Sequence, residues 1–397
     1  MSVTYDAVII GGGVSGMMAA ITLADAGRKV AVISKGDPAC CFSTGCIDLL
    51  AAGADPLEGI ASLTEEHPYH LVGGETIIRA LDRFRAIMSA EGMTYVGDYH
   101  TNRRVLTSLG RCKITCLVPR TMAFADVDSD ARLHLLSFKR IKDFYPQYIT
   151  ARYPRARYST YDAGVTTTAG IAGRFEDSQF LEEFITWLQR LDIQEERIAL
   201  PAVLGRQFAG EVYEKIAAAC GRPLFEIPTL PPSIPGLRLF GGLKHALLQR
   251  NGDLYWGRGI YSVERIDHQI EAVTLAGTGR ATRVEGKSFI LATGSLVSGG
   301  LHASMEKVTE TVFNLPTYLP GTRKTWFHDD FFAPGHEIEK TGIRVDPSFR
   351  PLDTDIENLY VCGSILAFSE VMKHRCGHGM AIATGVAAAQ SCGGLDS

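Results

Sequence analysis

Apolar positions near the start of the chain alternate between two kinds of run. Ala7-Val8-Ile9-Ile10 is short, continuous and β-branched, the pattern of a strand buried on both faces. Met17, Ala20, Ile21 and Ala24 then recur at helical spacing, and Gly27 supplies a C-terminal stop. A second strand run spans Lys29 to Ile33. Between the first strand and the helix, Gly11, Gly13 and Gly16 stand at G-x-G-x-x-G spacing. The first glycine permits a tight turn, the second lets backbone approach a pyrophosphate, and the third lets the helix pack close to the strand. Val14 and Ser15 open that helix, whose unfilled N–H groups and dipole make an anion site. Strand, glycine loop, helix and next strand come in the order the motif requires. Residues 3–36 therefore predict a dinucleotide-type binding unit, with no targeting peptide before it.

Further along, Ile77, Ile78, Leu81, Phe84, Ile87 and Met88 step by three and four and predict a helix within 73–93. Residues 105–117 alternate as a hairpin, Leu133–Phe138 predicts a strand, and 175–191 an amphipathic helix. Ile198–Val203 predicts a buried strand with Pro201 near its end. No second glycine fingerprint stands between 52 and 224, and this stretch is expected to be an inserted cap of mixed α+β type. Its Arg152, Arg155 and Arg157, set among tyrosines, suit either a solvated face or a phosphate contact. Residues 226–236 are too rich in proline for a central strand or helix interior and predict a rigid connector. A helix over 237–249 and a hairpin over 254–267 follow. Residues 288–295 predict a buried strand ending Ala292-Thr293-Gly294, where the chain can turn against a cofactor without bulk. Residues 358–364 predict another, ending at Gly363 and Ser364. Gly377, His378, Gly379 and Met380 then open an alanine-rich helix whose N–H groups would favour negative charge on a bound ring.

Composition narrows the choices. A net charge of −4 argues against a nucleic-acid binder, and no apolar run is long enough for a membrane span. A cytoplasmic, reducing setting fits nine cysteines, an odd number that describes no disulfide framework. Cys40, Cys41 and Cys46, like Cys112 and Cys116, lack paired C-x-x-C spacing, so no metal site is expected. After the second strand, Ser34 and Lys35 stand where dinucleotide folds place a carboxylate on the adenosine ribose. That substitution weakens the case for NAD strongly and for FAD moderately, since neither side chain accepts from two hydroxyls as a carboxylate does. Ser43, Thr44 and Gly45 are candidates to donate to a cofactor, or to cap an ordinary helix.

The segments VIIGGGVSG, ILATG and LYVCGS resemble the three cofactor contacts of the flavoprotein superfamily that includes the flavin-bearing chains of fumarate reductase and succinate dehydrogenase. FSTGCIDLL, PTLPPSIPGLRL, LATGSLVSGGL, DFFAP (Asp330 to Pro334) and LYVCGSILAF together resemble the B-subunit family of anaerobic glycerol-3-phosphate dehydrogenase. The likeness implies an α/β chain with a Rossmann-like, two-dinucleotide-type flavoprotein core over 1–51 and 225–397, and the α+β cap over 52–224. It also implies a flavin, FMN by family resemblance, while the intact glycine loop suits FAD. Its implied partners are a catalytic FAD-bearing protein and an iron–sulfur protein of the same complex, seating the chain peripherally at the inner face of the cytoplasmic membrane. The expected function is an electron relay from glycerol 3-phosphate oxidation toward iron–sulfur clusters and quinone. Two alternatives stand beside it: a self-sufficient flavin dehydrogenase or reductase with a substrate in the cap cleft, and a scaffold without cofactor. The self-sufficient enzyme needs a base and a cation, for which His374, Arg375, His378, Arg323 and His328 are the candidates.

Overall fold

The computed structural model describes residues 4–276 and 281–395, which form two compact units. The first unit takes Met1–Ala39, Asp48–Ile87 and Leu243–Ser397. The elements that build and cover its main sheet include β1 (Thr4–Ile10), α1 (Val14–Asp25), β2 (Val30–Ser34), α2 (Pro68–Val72), β3 (Asp253–Trp256), β4 (Ile260–Ile266), β5 (Gln269–Leu275), β6 (Thr282–Leu291), β7 (Leu359–Val361) and α3 (Gly377–Gly393). The strands form one sheet in the order β3-β2-β1-β6-β5-β4, with β7 paired beside the end of β6. β1 runs parallel to β2 on one side and to β6 on the other, with Ile10 opposite both Ile33 and Leu291. All of β2 is buried, as is β1 from Ala7 onward, as expected of strands covered on both faces.

The expected hairpin over 254–267 is instead two elements with different partners. β3 joins the edge of the sheet parallel to β2, and the hairpin is β4 with β5. Alternation along a strand specifies its faces but not its neighbour. Residues 257–259 alone link β3 to β4, and such a link spans at most ~15 Å between Cα atoms. The outer strands of a flat six-stranded row lie ~24 Å apart. The β4–β5 hairpin must therefore fold back over the sheet.

Helices α1 and α3 are apolar nearly all round, as fits helices covered on several sides. At their crossing, a Cβ on Gly385 of α3 would meet the Ser15 carbonyl of α1 at 2.4 Å. Residues 52–87, expected in the cap, belong here as well. Tyr69 on α2 donates to the Leu49 carbonyl at 2.9 Å, and Ala51 N–H donates to the His374 carbonyl at 3.1 Å. A helical pattern shows which face is buried, not which core buries it.

The second unit is Cys40–Ile47 with Met88–Gly242. The connector thus lies within this unit, so both expected boundaries move. Four parallel strands line up as Leu224–Ile227, Arg197–Pro201, Leu133–Phe138 and Arg157–Tyr161. The inner strand Leu133–Phe138 is wholly buried, whereas Arg157–Tyr161 is an exposed edge. Two antiparallel pairs, Arg103–Leu106 with Cys112–Thr115 and Tyr95–Gly97 with Leu117–Pro119, add the expected mixed character. The helix Ser178–Gln189 turns Phe180, Phe184 and Leu188 inward, where Phe138, Tyr161 and Phe175 form an aromatic cluster with them. Arg157 donates to the carbonyls of Pro154 and Ala156, a local role on the solvated edge.

Glu226 and Ile227, expected in the connector, lie in an edge strand, where the following Pro228 interrupts no inner ladder. The helix expected from 237 begins at Ile234, with Pro235 in its first turn. The buried Arg238 reaches back to the buried Glu226 with two hydrogen bonds, of 2.5 and 2.9 Å, and to the Gly205 carbonyl at 2.8 Å. That bidentate pair ties both ends of the proline-rich segment together.

Candidate functional site

The first unit gathers its strand ends through glycines. Gly11 follows β1 with φ +119°, and a Cβ there would stand 2.2 Å from the Ala292 carbonyl oxygen after β6. Gly16 lies so close beneath that a Cβ would come within 2.0 Å of the Gly11 oxygen. Gly363, after β7 and at φ +82°, sits against α1, where a Cβ would strike Ser15 Oγ at 2.3 Å. Its N–H is anchored 3.0 Å from Thr384 Oγ1 on α3. Gly294, at φ +81°, lies beside Ser298 and within reach of Ser364 Oγ. The structure thus brings together Gly11, Val14, Ser15, Gly16, Gly294, Gly363 and Ser364.

Gly13 differs from these neighbours. A Cβ at Gly13 would meet nothing within 4 Å. Gly13 is also the N-cap of α1 and has no side chain to cap it, which leaves the first-turn N–H groups suited to an anionic acceptor. Thr293 Oγ1 is buried without a hydrogen-bond partner among the described residues. Open space before an uncapped helix and an unsatisfied buried hydroxyl fit a phosphate-bearing cofactor.

Beyond β2, Ser34 is buried and donates to the Gly36 carbonyl at 2.9 Å, while Lys35 is exposed. A Cβ on Gly12 would meet Ser34 at 2.9 Å and the Trp256 ring of β3 at 3.3 Å. The adenosine side of the loop therefore has a serine and an indole where a ribose-binding carboxylate would stand. Sequence reading missed Trp256, because nothing in its spacing tied β3 to β2.

Helix α3 departs from the expected role. Gly379 N–H donates to the Asp48 carbonyl at 3.0 Å and Met380 N–H to Cys376 at 2.9 Å, so neither is available to a ring. A Cβ on Gly379 would meet both Asp48 O and Tyr69 Oη at 2.7 Å, so the glycine is required for packing. Gly377 and His378 occupy the first turn, both half-buried. Ser43, Thr44 and Gly45 belong to the second unit, where their polar groups close a turn. Ser43 Oγ donates to Cys40 O and accepts from Gly45 N–H, Thr44 Oγ1 accepts from Cys46 N–H, and Gly45 O accepts from Tyr95. No α-helix begins there.

Of the candidate acid–base groups, His374 is the most constrained. Its Nε2 lies 3.7 Å from Glu370, which also accepts from Lys373 Nζ at 2.6 Å. Burial alone would raise the Glu370 carboxyl, but hydrogen bonds from His374 and Lys373 overcome it and hold the group down to about 2. His374 also meets the buried His67 ring edge-on. Burial, and then the neighbouring His374 charge, pushes His67 down to about 4. The neutral ring accepts from Tyr69 N–H through Nδ1. Arg375 is exposed at φ +47°. Arg323 and His328 lie elsewhere in sequence and are locally engaged: Arg323 stacks on Trp326, and His328 bonds His336 and Gly335. Sequence reading missed Glu370 and His67, which no spacing linked to His374. The nine cysteines are free thiols, and no cluster among the described residues could hold a metal ion.

Residues 6–380 match the family model for the FAD binding domain. Among curated relatives, the B subunit of anaerobic glycerol-3-phosphate dehydrogenase from Yersinia pseudotuberculosis serotype I (strain IP32953) is 30% identical, over 97% of both chains. The protein of the same name from Vibrio vulnificus (strain YJ016) is 28% identical over 98% of this chain and 97% of its own. Among solved structures, 3-ketosteroid delta1-dehydrogenase from Sterolibacterium denitrificans overlaps 98% of this chain and 99% of its own, at 14% identity and a TM-score of 0.46. With strand ends, glycine loop and uncapped helix arranged for a phosphate-bearing group, the chain belongs to the FAD-binding-domain family of flavin-dependent oxidoreductases, and within it to the B-subunit family of anaerobic glycerol-3-phosphate dehydrogenase.

Proposed function

We propose that the chain works as the B subunit of an anaerobic sn-glycerol-3-phosphate dehydrogenase complex. There it relays electrons from oxidation of glycerol 3-phosphate to dihydroxyacetone phosphate toward iron–sulfur clusters and quinone. Its partners are a catalytic FAD-bearing protein and an iron–sulfur protein of the same complex, through which it sits peripherally at the inner face of the cytoplasmic membrane. No helix among the described residues is long and apolar enough to cross a membrane. The observation that carries the flavin site is the open space at Gly13 before an uncapped α1. Gly11, Gly13, Val14, Ser15 and Gly16 hold the phosphate, and Thr293, Gly294, Gly363, Ser364 and Gly377 border the rest. A flavin suits a relay because it exchanges electrons in pairs or singly. Ser34 and Trp256 at the adenosine side favour FMN over FAD, since neither replaces the carboxylate that binds ribose hydroxyls.

Mass spectrometry of the flavin released on denaturation tests the cofactor: FMN is expected, and FAD overturns that choice. Steady-state turnover of glycerol 3-phosphate with a dye acceptor tests the relay. The isolated chain is expected to be inactive and the assembled complex active. Turnover by the chain alone favours the second reading, a self-sufficient dehydrogenase. The Glu370–His374 pair beside the exposed Arg375 supports that reading by supplying a candidate acid–base group and a cation.

A further inference from the structure

The second unit contains a polar chain that electron transfer leaves unused. His134 lies on the inner strand Leu133–Phe138, Ser159 on the edge strand Arg157–Tyr161, and Glu195 in the loop leading into Arg197–Pro201. The first two strands run parallel with His134 opposite Arg157, so Ser159, two places on, emerges on the same face as His134. His134 Nε2 stands 2.9 Å from Ser159 Oγ, and His134 Nδ1 stands 2.9 Å from Glu195 Oε2. The side chains of His134 and Glu195 are only 9% and 13% exposed.

Chemistry fixes the direction of this chain. Burial would raise the Glu195 carboxyl, but the hydrogen bond from His134 lowers it below its usual value, so the group is an ionised acceptor. The carboxylate requires the imidazole proton on Nδ1, which leaves the Nε2 lone pair facing the Ser159 hydroxyl. An acid orienting a histidine whose free nitrogen faces a serine is the arrangement that activates a nucleophile. Ser159 is only half-buried and lies on the last strand of the sheet. Lys139 N–H donates to Tyr161 O at 2.9 Å, so residues 157, 159 and 161 turn their backbone groups inward. By alternation, the N–H of Thr160, next to Ser159, points out from the open edge, where it can donate to a developing oxyanion.

We propose that Ser159, His134 and Glu195 form a second reactive centre, independent of flavin, in which Ser159 attacks small activated acyl or phosphonyl esters. With an acyl ester, Ser159 Oγ bonds the carbonyl carbon and its proton passes to His134 Nε2. The alcohol then leaves with that proton, and water removes the acyl group by the same route. With a fluorophosphonate, the oxygen–phosphorus bond forms, fluoride departs and the proton remains on His134.

The test is incubation of the full chain with a fluorophosphonate probe, followed by intact-mass measurement and peptide mapping. One adduct, on Ser159, is expected in the native protein and none in Ser159→Ala, whose flavin content and melting temperature stay as in the parent. His134→Gln is expected to label ~100-fold more slowly or worse, and Glu195→Gln also more slowly. A native chain with no adduct at Ser159 overturns the proposal, as does His134→Gln labelling at the parent rate. In either case the three residues only fasten the sheet edge. Because loss of His134 can loosen the sheet, p-nitrophenyl acetate hydrolysis by Ser159→Ala gives an independent reading. Its acetylation burst should vanish, and an unchanged burst is equally fatal to the proposal.

Discussion

The glycine-lined strand ends of the first unit and the buried polar groups of the second come together by opposite means. In the first, backbone meets backbone because side chains are missing: Gly11 against Ala292, Gly16 under Gly11, Gly363 against Ser15. In the second, charged and polar side chains span the gaps: Arg238 to Glu226, and Glu195 through His134 to Ser159. A site lined by backbone offers N–H groups and room, which suits a large anionic ligand. A site bridged by side chains is already satisfied, and its polar groups stabilise the fold or act on one another. Substitutions should therefore fail differently in the two units.

The largest effect is expected at Gly11→Ala. Its Cβ must displace backbone at 2.2 Å from a positive φ, and a cost above ~4 kcal/mol is expected for strain of this kind. The first unit's thermal transition should drop or vanish, and flavin with it. Gly13→Ala sharpens the point, since its Cβ enters open space at φ −73°. That variant should melt close to the parent yet bind flavin ~100-fold more weakly, as two lost hydrogen bonds to a charged phosphate would predict. A Gly13→Ala chain purifying with full flavin would move the cofactor away from α1.

In the second unit the comparable break is Glu226→Gln, which leaves the guanidinium of Arg238 buried and half-paired. Removing one partner of such a pair costs about 3–5 kcal/mol, visible as an earlier urea midpoint. Flavin content of the folded fraction should be unchanged. Replacing both partners, Glu226→Leu with Arg238→Met, should recover much of the loss, because two apolar side chains leave no unpaired charge.

The same contrast explains what could be read from the sequence. Gly11, Gly13 and Gly16 lie within six residues, and their spacing alone states a backbone requirement. Thr293-Gly294 and Gly363-Ser364 are legible for the same reason, each being a strand followed at once by its turn. Glu226 and Arg238 are twelve residues apart, and His134, Ser159 and Glu195 are spread over three segments. Their pairing depends on which strands become neighbours, and alternation does not encode that. Trp256 was missed on the same ground, as the partner of β2 rather than of the next strand. The division into units moved because Tyr69, Leu49 and Gly379 meet through long-range packing. Local chemistry is written locally; the rest waits on topology.

Acid should weaken the first unit by a smaller margin. His67 is held at about 4 and Glu370 at about 2, both below their usual values. For each group the unfolded chain binds the proton more readily, so its stability contribution is present at higher pH and lost as pH falls. The His67 contribution should fade between its usual 6.5 and about 4, and that of Glu370 between 4.5 and about 2. A single such group gives a slope of at most ~1.4 kcal/mol per pH unit. Urea titrations at stepped pH should show this slope in the first unit, and His67→Gln should flatten it between pH 6.5 and 4. An unchanged slope in that variant would mean that His67 is not the group taking up the proton.

The smallest effects belong to the surface, where the two units should behave alike. Lys287 pairs with Asp6 in the first unit at 2.7 Å, and Arg120 pairs with Glu214 in the second at 2.9 Å. Each pair reaches solvent, so its Coulomb gain is screened and offset by the entropy of holding long side chains in place. Lys287→Ala and Arg120→Ala should each shift stability by no more than about 0.5 kcal/mol, and by less in high salt. If Arg120→Ala instead costs several kcal/mol, the ionic ties of the second unit extend to its surface. The contrast would then be one of charge throughout, rather than of how strand ends are joined inside.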